Sequence, residues 1–453
     1  MRDILVVLLF ACGTLLALRR PYVAALLWVW ISLMNPHRLT WGFAYSLPFA
    51  MAAAGVLFFS MVLNSGKVRW TLAFPVPVLL AFVGWMGITT AFAIFPEESY
   101  TKYVFVLKVL LMLLPIAAVV RTREEILGLV VTIAGSLAFF GVKGGLFTLL
   151  AGGEFLVWGP PSSAVEGNNE LAVALLITVP LLYYLSNQTL QLRSLPIIGR
   201  IPEKWVKRFL YVSILLCLAA ALGSHSRGAL LTMIAMGSVL WWRSKSKMML
   251  FVIAALVGVM AITFMPEKWS SRMGTIETYD QDASALGRIN AWTMAANIAN
   301  DRLTGAGFVT DSQAIYDKYA PSPDFVIVAH SIYFQVLGEH GYIGLVLYLA
   351  FWIATYTLAG RVSRRSAGQE NLDWANSLAT VIRVSLIGFA VGGAFLSLAY
   401  WDMPFYLFVL LLCTDRCVKE VTNQALAKEK GTNASERIPT TVSERGYIAS
   451  RHY

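Results

Sequence analysis

Long apolar runs separated by short polar loops make up most of the chain. An α-helix needs about 20 apolar residues to cross the hydrocarbon core of a bilayer, and most of these runs approach or reach that length. Because backbone groups in lipid must be hydrogen-bonded within the protein, such runs predict transmembrane helices. The predicted spans after the first run are 46–63, 73–95, 101–120, 126–151, 168–186, 207–223, 228–243, 247–265, 341–360, 378–397 and 398–416.

The first apolar run, residues 4–34, is interrupted at Arg19 and Arg20. It predicts either one irregular span, with the N-terminus in the cytoplasm, or two short spans, with the N-terminus outside. The fold class that follows is an all-α polytopic membrane protein with about 12 transmembrane helices, and 13 if the first run is split.

One segment between apolar runs is much longer than the others. Residues 266–330 carry amphipathic helical patterning around 287–302, and Gly305 and Gly307 follow as helix-stopping residues. A long loop with its own helix is a common place for catalytic residues. We divide the chain into N-terminal transmembrane helices (1–265), a catalytic loop (266–330), C-terminal transmembrane helices (331–417) and a polar tail (418–453).

The composition excludes a water-soluble enzyme. The 453 residues are 57% hydrophobic and 14% charged, whereas about 25% of the residues in soluble domains are charged. The net charge of +10 does not indicate a nucleic acid partner, because the basic residues are spread over short loops and form no basic domain. The composition predicts membrane lipids as the surroundings of the chain.

Lysine and arginine collect in alternate loops. Loops 66–70, 121–125, 187–208, 243–248 and 361–376 hold 15 Lys/Arg and 5 Asp/Glu. The short loops between them hold only Arg38 and Arg227 as basic residues. Because loops rich in Lys and Arg stay in the cytoplasm, we expect the first set and the C-terminus inside the cell and segment 266–330 outside.

Several cations are predicted at the outer membrane face. Lys102 and Lys108 lie in the first turns of a span that enters from outside, and Lys143 lies near the outer end of the next span. Arg227, Arg288 and Arg302 are the other basic residues of the set. The acidic Asp402 is predicted in an outer turn at the same face. A single lysine or arginine at such a depth is also explained by a side chain that reaches toward the head groups. The shared depth of the set favours an anionic ligand at this face.

Arg227 has the most specific local setting, in Ser224-His225-Ser226-Arg227-Gly228 between two apolar runs. Ser226 is expected to cap the second helix, whose N-terminal N–H groups attract anions. A guanidinium at that position is suited to bind a phosphate with two hydrogen bonds. The alternative interpretation is an arginine that anchors a helix end among lipid head groups.

Three histidines, His225, His330 and His340, are candidates for acid–base chemistry. His330 ends the long loop and begins an apolar helix, so its imidazole is expected at the mouth of a cavity, where it can accept a proton from a hydroxyl. His340 lies about 15 Å further along that helix, too far to act on the same atom. A polar residue at an interface is the alternative interpretation of His330.

The sequence gives little support for a metal site. Asp280 and Asp282 form a D-x-D pair, which can hold a divalent cation for sugar transfer, but no nucleotide-binding pattern surrounds them. Cys413 and Cys417 have one-turn spacing without a nearby histidine or further cysteine. We therefore expect neither a metal nor a cofactor.

Three stretches, in this order along the chain, resemble the O-antigen ligase and polymerase superfamily. They are Ser226-Arg227-Gly228-Ala229; Gly287-Arg288-x-x-x-Trp292 leading to Gly305-x-Gly307-Phe308; and His330-Ser331-x-Tyr333-x-Gln335-x-Leu337-x-Glu339-x-Gly341-x-x-Gly344-Leu345. The start of the chain, from Met1 through Thr40, also resembles an O-glycosylation ligase subgroup. Two positions depart from the usual pattern: Ser331 stands where asparagine is common, and the run 301–304 lacks the usual proline before the glycine pair.

This resemblance implies a GT-C-like glycosyltransferase of the bacterial inner membrane with a periplasmic active site. Its members move a glycan from undecaprenyl diphosphate to an acceptor hydroxyl. In this chain it implies that Arg227 and Arg288 stabilise the leaving diphosphate and that His330 accepts the acceptor's proton, with inversion and without a metal. The further substrate-binding candidates are Lys108, Lys143, Arg302, Asp402, Asn168 and Tyr333.

The leading interpretation is an O-antigen ligase with lipid A–core oligosaccharide as the acceptor. A protein O-oligosaccharyltransferase and an O-antigen polymerase use the same chemistry and differ in the acceptor. A secondary transporter for a lipid or sugar is an alternative from another class, and it predicts interrupted helices paired in two related halves. The sequence shows no such halves.

Overall fold

A computed structural model describes residues 1–195, 198–243 and 283–436, together with short pieces between 247 and 259. Within these ranges every regular element is a helix and no β-strand is present. Most of the predicted span 247–265, and the pair Asp280 and Asp282, lie outside the described residues.

The described residues up to 243 form ten α-helices, joined in places by short 3-10 turns. They are α1 (Arg2–Ala17), α2 (Pro21–Met34), α3 (Phe49–Leu63), α4 (Val76–Ala91), α5 (Pro96–Val119), α6 (Arg123–Leu150), α7 (Asn168–Ser186), the short α8 (Thr189–Leu192), α9 (Glu203–Gly223) and α10 (Arg227–Arg243). The described residues after 282 add α11 (Ala283–Asp301), α12 (Gln313–Tyr319), α13 (Ile332–Ser366), α14 (Asp373–Gly393) and α15 (Asp402–Glu436).

Six of these helices are long and apolar enough to cross a membrane: α5, α6, α7, α9, α13 and α14 with its preceding turn. Helices α2, α3 and α4 are apolar but shorter. The part of the chain that the structure describes therefore confirms an all-helical polytopic membrane protein, and the total of about 12 spans stays a prediction. The last helix continues to Glu436, well past the predicted end of the final span at residue 416.

The first apolar run is split into two helices. Helix α1 ends at Ala17 and α2 begins at Pro21, whose fixed φ suits the first position of a helix. Helix α3 holds the turn between them: the Ser60 hydroxyl donates to the carbonyl of Ala17, and the Asn64 amide donates to that of Leu18. Of the two options for residues 4–34, the structure has two short helices with the arginine pair in the turn.

Small residues bring the central helices together. Helix α6 packs along α9, and a Cβ added at Gly145 of α6 would lie 2.2 Å from the carbonyl oxygen of Leu216 on α9. At Gly141 of α6 an added Cβ would lie 2.3 Å from the sulfur of Cys217. Such close approach is how membrane helices gain packing energy, because lipid supplies little hydrophobic force between them. Helix α7 packs on α9 and α14 and completes the core next to the site.

Helix α13 is broken at Gly341, which has φ +66° and ψ −172°. In a regular helix each carbonyl accepts from the N–H group four residues later. The break removes these N–H donors from the carbonyls just before it. Loop amides replace them: Ala306 N–H donates to Gly338 O at 2.9 Å, and Gly307 N–H donates to Glu339 O at 3.0 Å. The indole N–H of Trp85 donates to His340 O at 2.9 Å. The loop after α11 and a side chain of α4 thus supply the hydrogen-bond donors that the carbonyls at the break lack.

Glycine is required on both sides of this junction. Gly305 and Gly307 have φ of +66° and +84°, and an added Cβ at Gly305 would lie 2.7 Å from the Glu339 carbonyl. An added Cβ at Gly341 would lie 2.3 Å from Leu303 O. Positive φ and backbone-to-backbone contact both exclude a side chain here. The second and third sequence motifs therefore meet at one junction.

Replacing Gly341 by alanine tests the junction. We expect Gly341→Ala to destabilise the protein by about 2–4 kcal/mol, because the new Cβ is strained at positive φ and collides with a backbone carbonyl. The measurement is the thermal unfolding midpoint of the purified protein in detergent. The matched control is Gly360→Ala in the same helix, where an added Cβ meets nothing within 4 Å. Equal midpoints for the two variants would contradict the argument.

Candidate active site

His330 lies just before α13 in a left-handed conformation, with φ +41°. Its backbone N–H donates to Ser397 Oγ at 3.0 Å, and Ser331 begins the helix as its N-cap residue. The imidazole is half-buried, and its Nδ1 is buried without a hydrogen-bond partner among the residues that the structure describes. A strained, non-glycine backbone that holds a side chain in place is typical of functional positions.

Helix α11 brings Arg288 to His330. One turn after Arg288, the Trp292 indole N–H donates to Ala329 O at 2.7 Å, and its ring stacks on Phe334 with centroids 5.0 Å apart. Gly287 allows this approach, because an added Cβ would lie 2.4 Å from the ring of Phe325. The glycine, arginine and tryptophan of the second motif thus act together to place Arg288.

Burial and the positive charge of Arg288 both lower the pKa of His330 below its ordinary value of 6.5, and burial has the larger effect. The imidazole is therefore neutral near pH 7, which is the form that can accept a proton. The charge of Arg288 also acts on the Glu170 carboxyl group in the first turn of α7. Glu170 therefore lies within range of the Arg288 charge.

Arg227 is the first residue of α10, and the serine before it caps the helix as predicted: Ala229 N–H donates to Ser226 Oγ at 3.2 Å. His225 has φ +53° and its Nε2 lies 2.9 Å from Gly153 O. The Asn168 amide at the start of α7 donates to Ser224 O at 2.7 Å. The turn that presents Arg227 is thus held by two neighbouring segments.

The segment 394–401, between α14 and α15, links Arg227 to His330. Its Phe395 covers the start of α10, since a Cβ added at Gly228 would lie 3.4 Å from the Phe395 Cβ. Two residues later, Ser397 accepts the hydrogen bond from His330. The starts of α10 and α13 therefore both contact one short segment, and Asn168 holds the turn before Arg227. Arg288 acts on His330 from α11.

Three of the other candidate side chains form hydrogen bonds with other groups of the protein. Arg302 donates through Nε to Gly305 O at 2.9 Å and through Nη2 to Phe92 O at 2.6 Å, which fixes the glycine loop. The Tyr333 hydroxyl donates to Ala390 O at 2.8 Å. Asp402 accepts from the Ser32 hydroxyl, in a hydrogen-bonded group that joins α2 to α15.

Lys108 and Lys143 do not join this group in the structure. Lys108 is the thirteenth residue of α5, deeper than the first turns in which it was expected, because the helix begins at Pro96. Lys143 lies in the last third of α6. Both side chains are exposed, and neither has a hydrogen-bond or ion-pair partner within residues 1–195, 198–243 and 283–436. Their role in binding substrate stays a prediction.

No group of three or more His, Cys, Asp or Glu side chains suited to a metal occurs in the described part of the chain. Asp280 and Asp282 lie outside it, so the structure gives no geometry for the D-x-D pair.

A buried polar network in α13 centres on Glu339, which was not singled out from the sequence, and on the neighbouring candidate His340. Glu339 is 5% exposed and accepts from the Tyr400 hydroxyl at 2.5 Å and from the Gln335 amide at 3.3 Å. His340 is fully buried, with Nδ1 2.7 Å from Thr89 Oγ1. The available signal was Glu339 in the third sequence motif, two residues before the predicted span 341–360, where an acidic residue close to the membrane is costly and usually functional.

Two families match the chain. Residues 1–190 match a family of unknown function (DUF5935), and residues 212–349 match a family described as O-antigen ligase. The second match contains Arg227, Arg288 and His330, and the first contains Asn168 and Glu170. A search of curated proteins finds no match.

The effect of Arg288 on His330 is testable by titration. Arg288→Gln removes a positive charge that disfavours the imidazolium, so we expect the pKa of His330 to rise. The measurement is the pH dependence of the labelled imidazole resonances of the protein in nanodiscs.

The matched control is Arg364→Gln, which removes an exposed guanidinium in the last turn of α13, at the opposite end of the helix from His330. This variant should leave the titration of His330 unchanged. An unchanged or lowered pKa of His330 in Arg288→Gln would refute the electrostatic coupling.

Proposed function

We propose that the protein is an inverting, metal-independent glycosyltransferase, because residues 212–349 match a family described as O-antigen ligase. It transfers an O-antigen glycan from undecaprenyl diphosphate to lipid A–core oligosaccharide at the periplasmic face of the bacterial inner membrane. The C-terminus lies in the cytoplasm in this proposal, in agreement with the distribution of Lys and Arg over the loops.

The observation that carries the proposal is the pairing of His330 with Arg288. A neutral, half-buried imidazole within the electrostatic reach of a guanidinium supplies a proton acceptor and an anion-stabilising charge in one region. Glycosyl transfer from a lipid diphosphate needs these two groups, because the acceptor hydroxyl loses a proton while the diphosphate gains charge. Arg227 at a capped helix start, beside the segment that holds His330, adds a second cation and the N–H groups of α10.

In the proposed reaction the acceptor oxygen attacks the anomeric carbon from the face opposite the diphosphate. The bond between that carbon and the phosphate oxygen breaks, and its electron pair leaves with undecaprenyl diphosphate. His330 takes the proton of the acceptor hydroxyl, while Arg227 and Arg288 neutralise the leaving group. A single displacement inverts the anomeric centre. Further substrate contacts are proposed for Lys108, Lys143, Arg302, Asp402, Asn168 and Tyr333.

The role of His330 predicts a large loss of turnover without loss of folding. We expect His330→Ala to lower transfer by about 10²–10⁴-fold, the contribution typical of a general base. The assay measures glycan transfer by protein reconstituted in nanodiscs with undecaprenyl diphosphate-linked glycan, lipid A–core acceptor and EDTA. The control is His452→Ala in the polar tail, which should be as active as wild type.

Activity of His330→Ala within about threefold of wild type would exclude the general base assignment. Activity that requires Mg²⁺ or Mn²⁺ after chelation would exclude the metal-independent mechanism and favour Asp280 and Asp282 as ligands. Mass spectrometry of the product identifies the acceptor. Glycan attached to protein would favour a protein O-oligosaccharyltransferase, and glycan attached to a growing glycan would favour an O-antigen polymerase. Movement of the donor across a vesicle membrane without transfer would favour a transporter.

The two arginines are expected to act at different stages. Arg227, at a fixed helix start, binds the diphosphate from the ground state onward, so Arg227→Ala should weaken donor binding. Arg288 engages as charge develops, so Arg288→Ala should slow single turnover at saturating donor more than it weakens binding. A lysine at either position keeps the charge but loses the planar guanidinium group. The transfer activity of Arg227→Lys and of Arg288→Lys should therefore also be below that of the wild type.

Donor affinity and single-turnover rates of both alanine variants, measured in one nanodisc preparation, test this division. Normal binding and normal turnover of Arg227→Ala would show that this arginine only anchors the helix end. Weak donor binding with an unchanged saturated rate in Arg288→Ala would refute the division of roles, while the enzyme class would stand.

A further inference from the structure

We propose that Glu339 and Tyr400 form a positioning pair that sets the place of His330 through the 394–401 segment. The inference rests on the proposed function, in which His330 is the general base. Glu339 touches no substrate in this proposal. It acts through a chain of hydrogen bonds that runs from the interior of α13 to the start of the same helix.

The pair fixes the segment to α13 at several points. The Tyr400 hydroxyl donates to Glu339 Oε2 at 2.5 Å. Gln335 provides a second connection between α13 and the segment. Its amide N–H donates to Glu339 Oε1 at 3.3 Å, and its carbonyl oxygen accepts from Ala399 N–H at 3.3 Å. One turn of α13 therefore holds two consecutive residues of the segment.

The same segment holds His330. Ser397 lies three residues before Tyr400 and accepts the backbone N–H of His330 at 3.0 Å. Because His330 has a strained φ of +41°, its position depends on contacts made by other parts of the chain. Movement of the segment would shift both this bond and the Phe395 side chain that covers the start of α10.

A purely space-filling role does not explain an acid at position 339. Its side chain is 7% exposed within a membrane-spanning helix, and burying a carboxyl group is costly unless its oxygens are hydrogen-bonded. Both oxygens of Glu339 do have donors, and His340 Nε2 lies 3.7 Å from Oε2. One of these bonds reaches the segment directly at Tyr400, and the other orients Gln335, which accepts from Ala399 N–H. Together these directional bonds fix the segment in a single arrangement, which apolar contacts alone would not specify.

Glu339 also joins the segment to the catalytic loop. Its backbone carbonyl accepts the N–H of Gly307 at the helix break, while its side chain holds Tyr400. The Phe308 ring packs on Tyr400, with centroids 5.4 Å apart. Glu339 therefore fixes the loop after α11 relative to the segment that holds His330.

Tyr400→Phe tests the pair with the least disturbance, because it removes the hydroxyl and keeps the ring that packs on Phe308. We expect kcat to fall by about 10- to 100-fold, as a small displacement of a reacting group does, with the KM for donor unchanged. Glu339→Gln keeps the size of the side chain and should show the same split. The control is Tyr342→Phe in the same helix, whose exposed hydroxyl donates to Asn300 Oδ1 at 2.8 Å and which should match wild type.

A double-mutant cycle with Ser397→Ala identifies the route. If Tyr400 acts through Ser397, the double variant should be no slower than the slower single variant. Multiplied effects would overturn the proposed route, and so would a rise in KM with unchanged kcat.

A second readout does not depend on activity. The labelled imidazole resonance of His330, recorded in nanodiscs, should move in Tyr400→Phe and in Ser397→Ala but not in Tyr342→Phe. An unmoved resonance in Tyr400→Phe overturns the positioning role. If the wild-type protein transfers no glycan, the proposed function fails, whereas the resonance still decides whether the pair positions His330.

Discussion

The broken hydrogen-bond ladder at Gly341 is the constraint on which the site depends. Carbonyl groups left without donors inside a membrane-spanning helix are costly, since lipid offers none. The amides of Ala306 and Gly307 fill the gap, so the loop that follows α11 must lie against α13. That contact, with the Trp292 bond to Ala329, brings Arg288 to His330.

The placement of charge follows from this geometry. Arg288 lowers the pKa of His330 because α11 is held against the start of α13. Arg227 belongs to the same region because Phe395 covers the start of α10 and Ser397 bonds to His330. By contrast, Lys108 and Lys143 share a similar depth in the sequence pattern but lie on exposed helix faces. Depth along a helix is therefore a weaker guide to a site than direction around it.

The position of each helix along the chain was largely predictable, because apolar runs of membrane length can form little else. The N-cap at Ser226 and the helix in the long loop, α11, were also predicted from local patterns and are confirmed. Differences fall at the ends, where polar residues extend a helix beyond its apolar run, as α15 does to Glu436. The choice between one helix and two over residues 4–34 needed the structure.

The sequence by itself determined the all-helical membrane architecture and marked Arg227, Arg288 and His330, since apolar length and motif order are written along the chain. Only the tertiary structure decided that Glu339 bonds to Tyr400, 61 residues away, and that Gly305 and Gly307 close the break at Gly341. Lipid-facing and buried helix faces are both apolar, so periodicity in a membrane helix does not reveal its neighbours. Which residues meet is set by glycine contacts and by backbone groups that need donors, and these become visible only when the helices are packed.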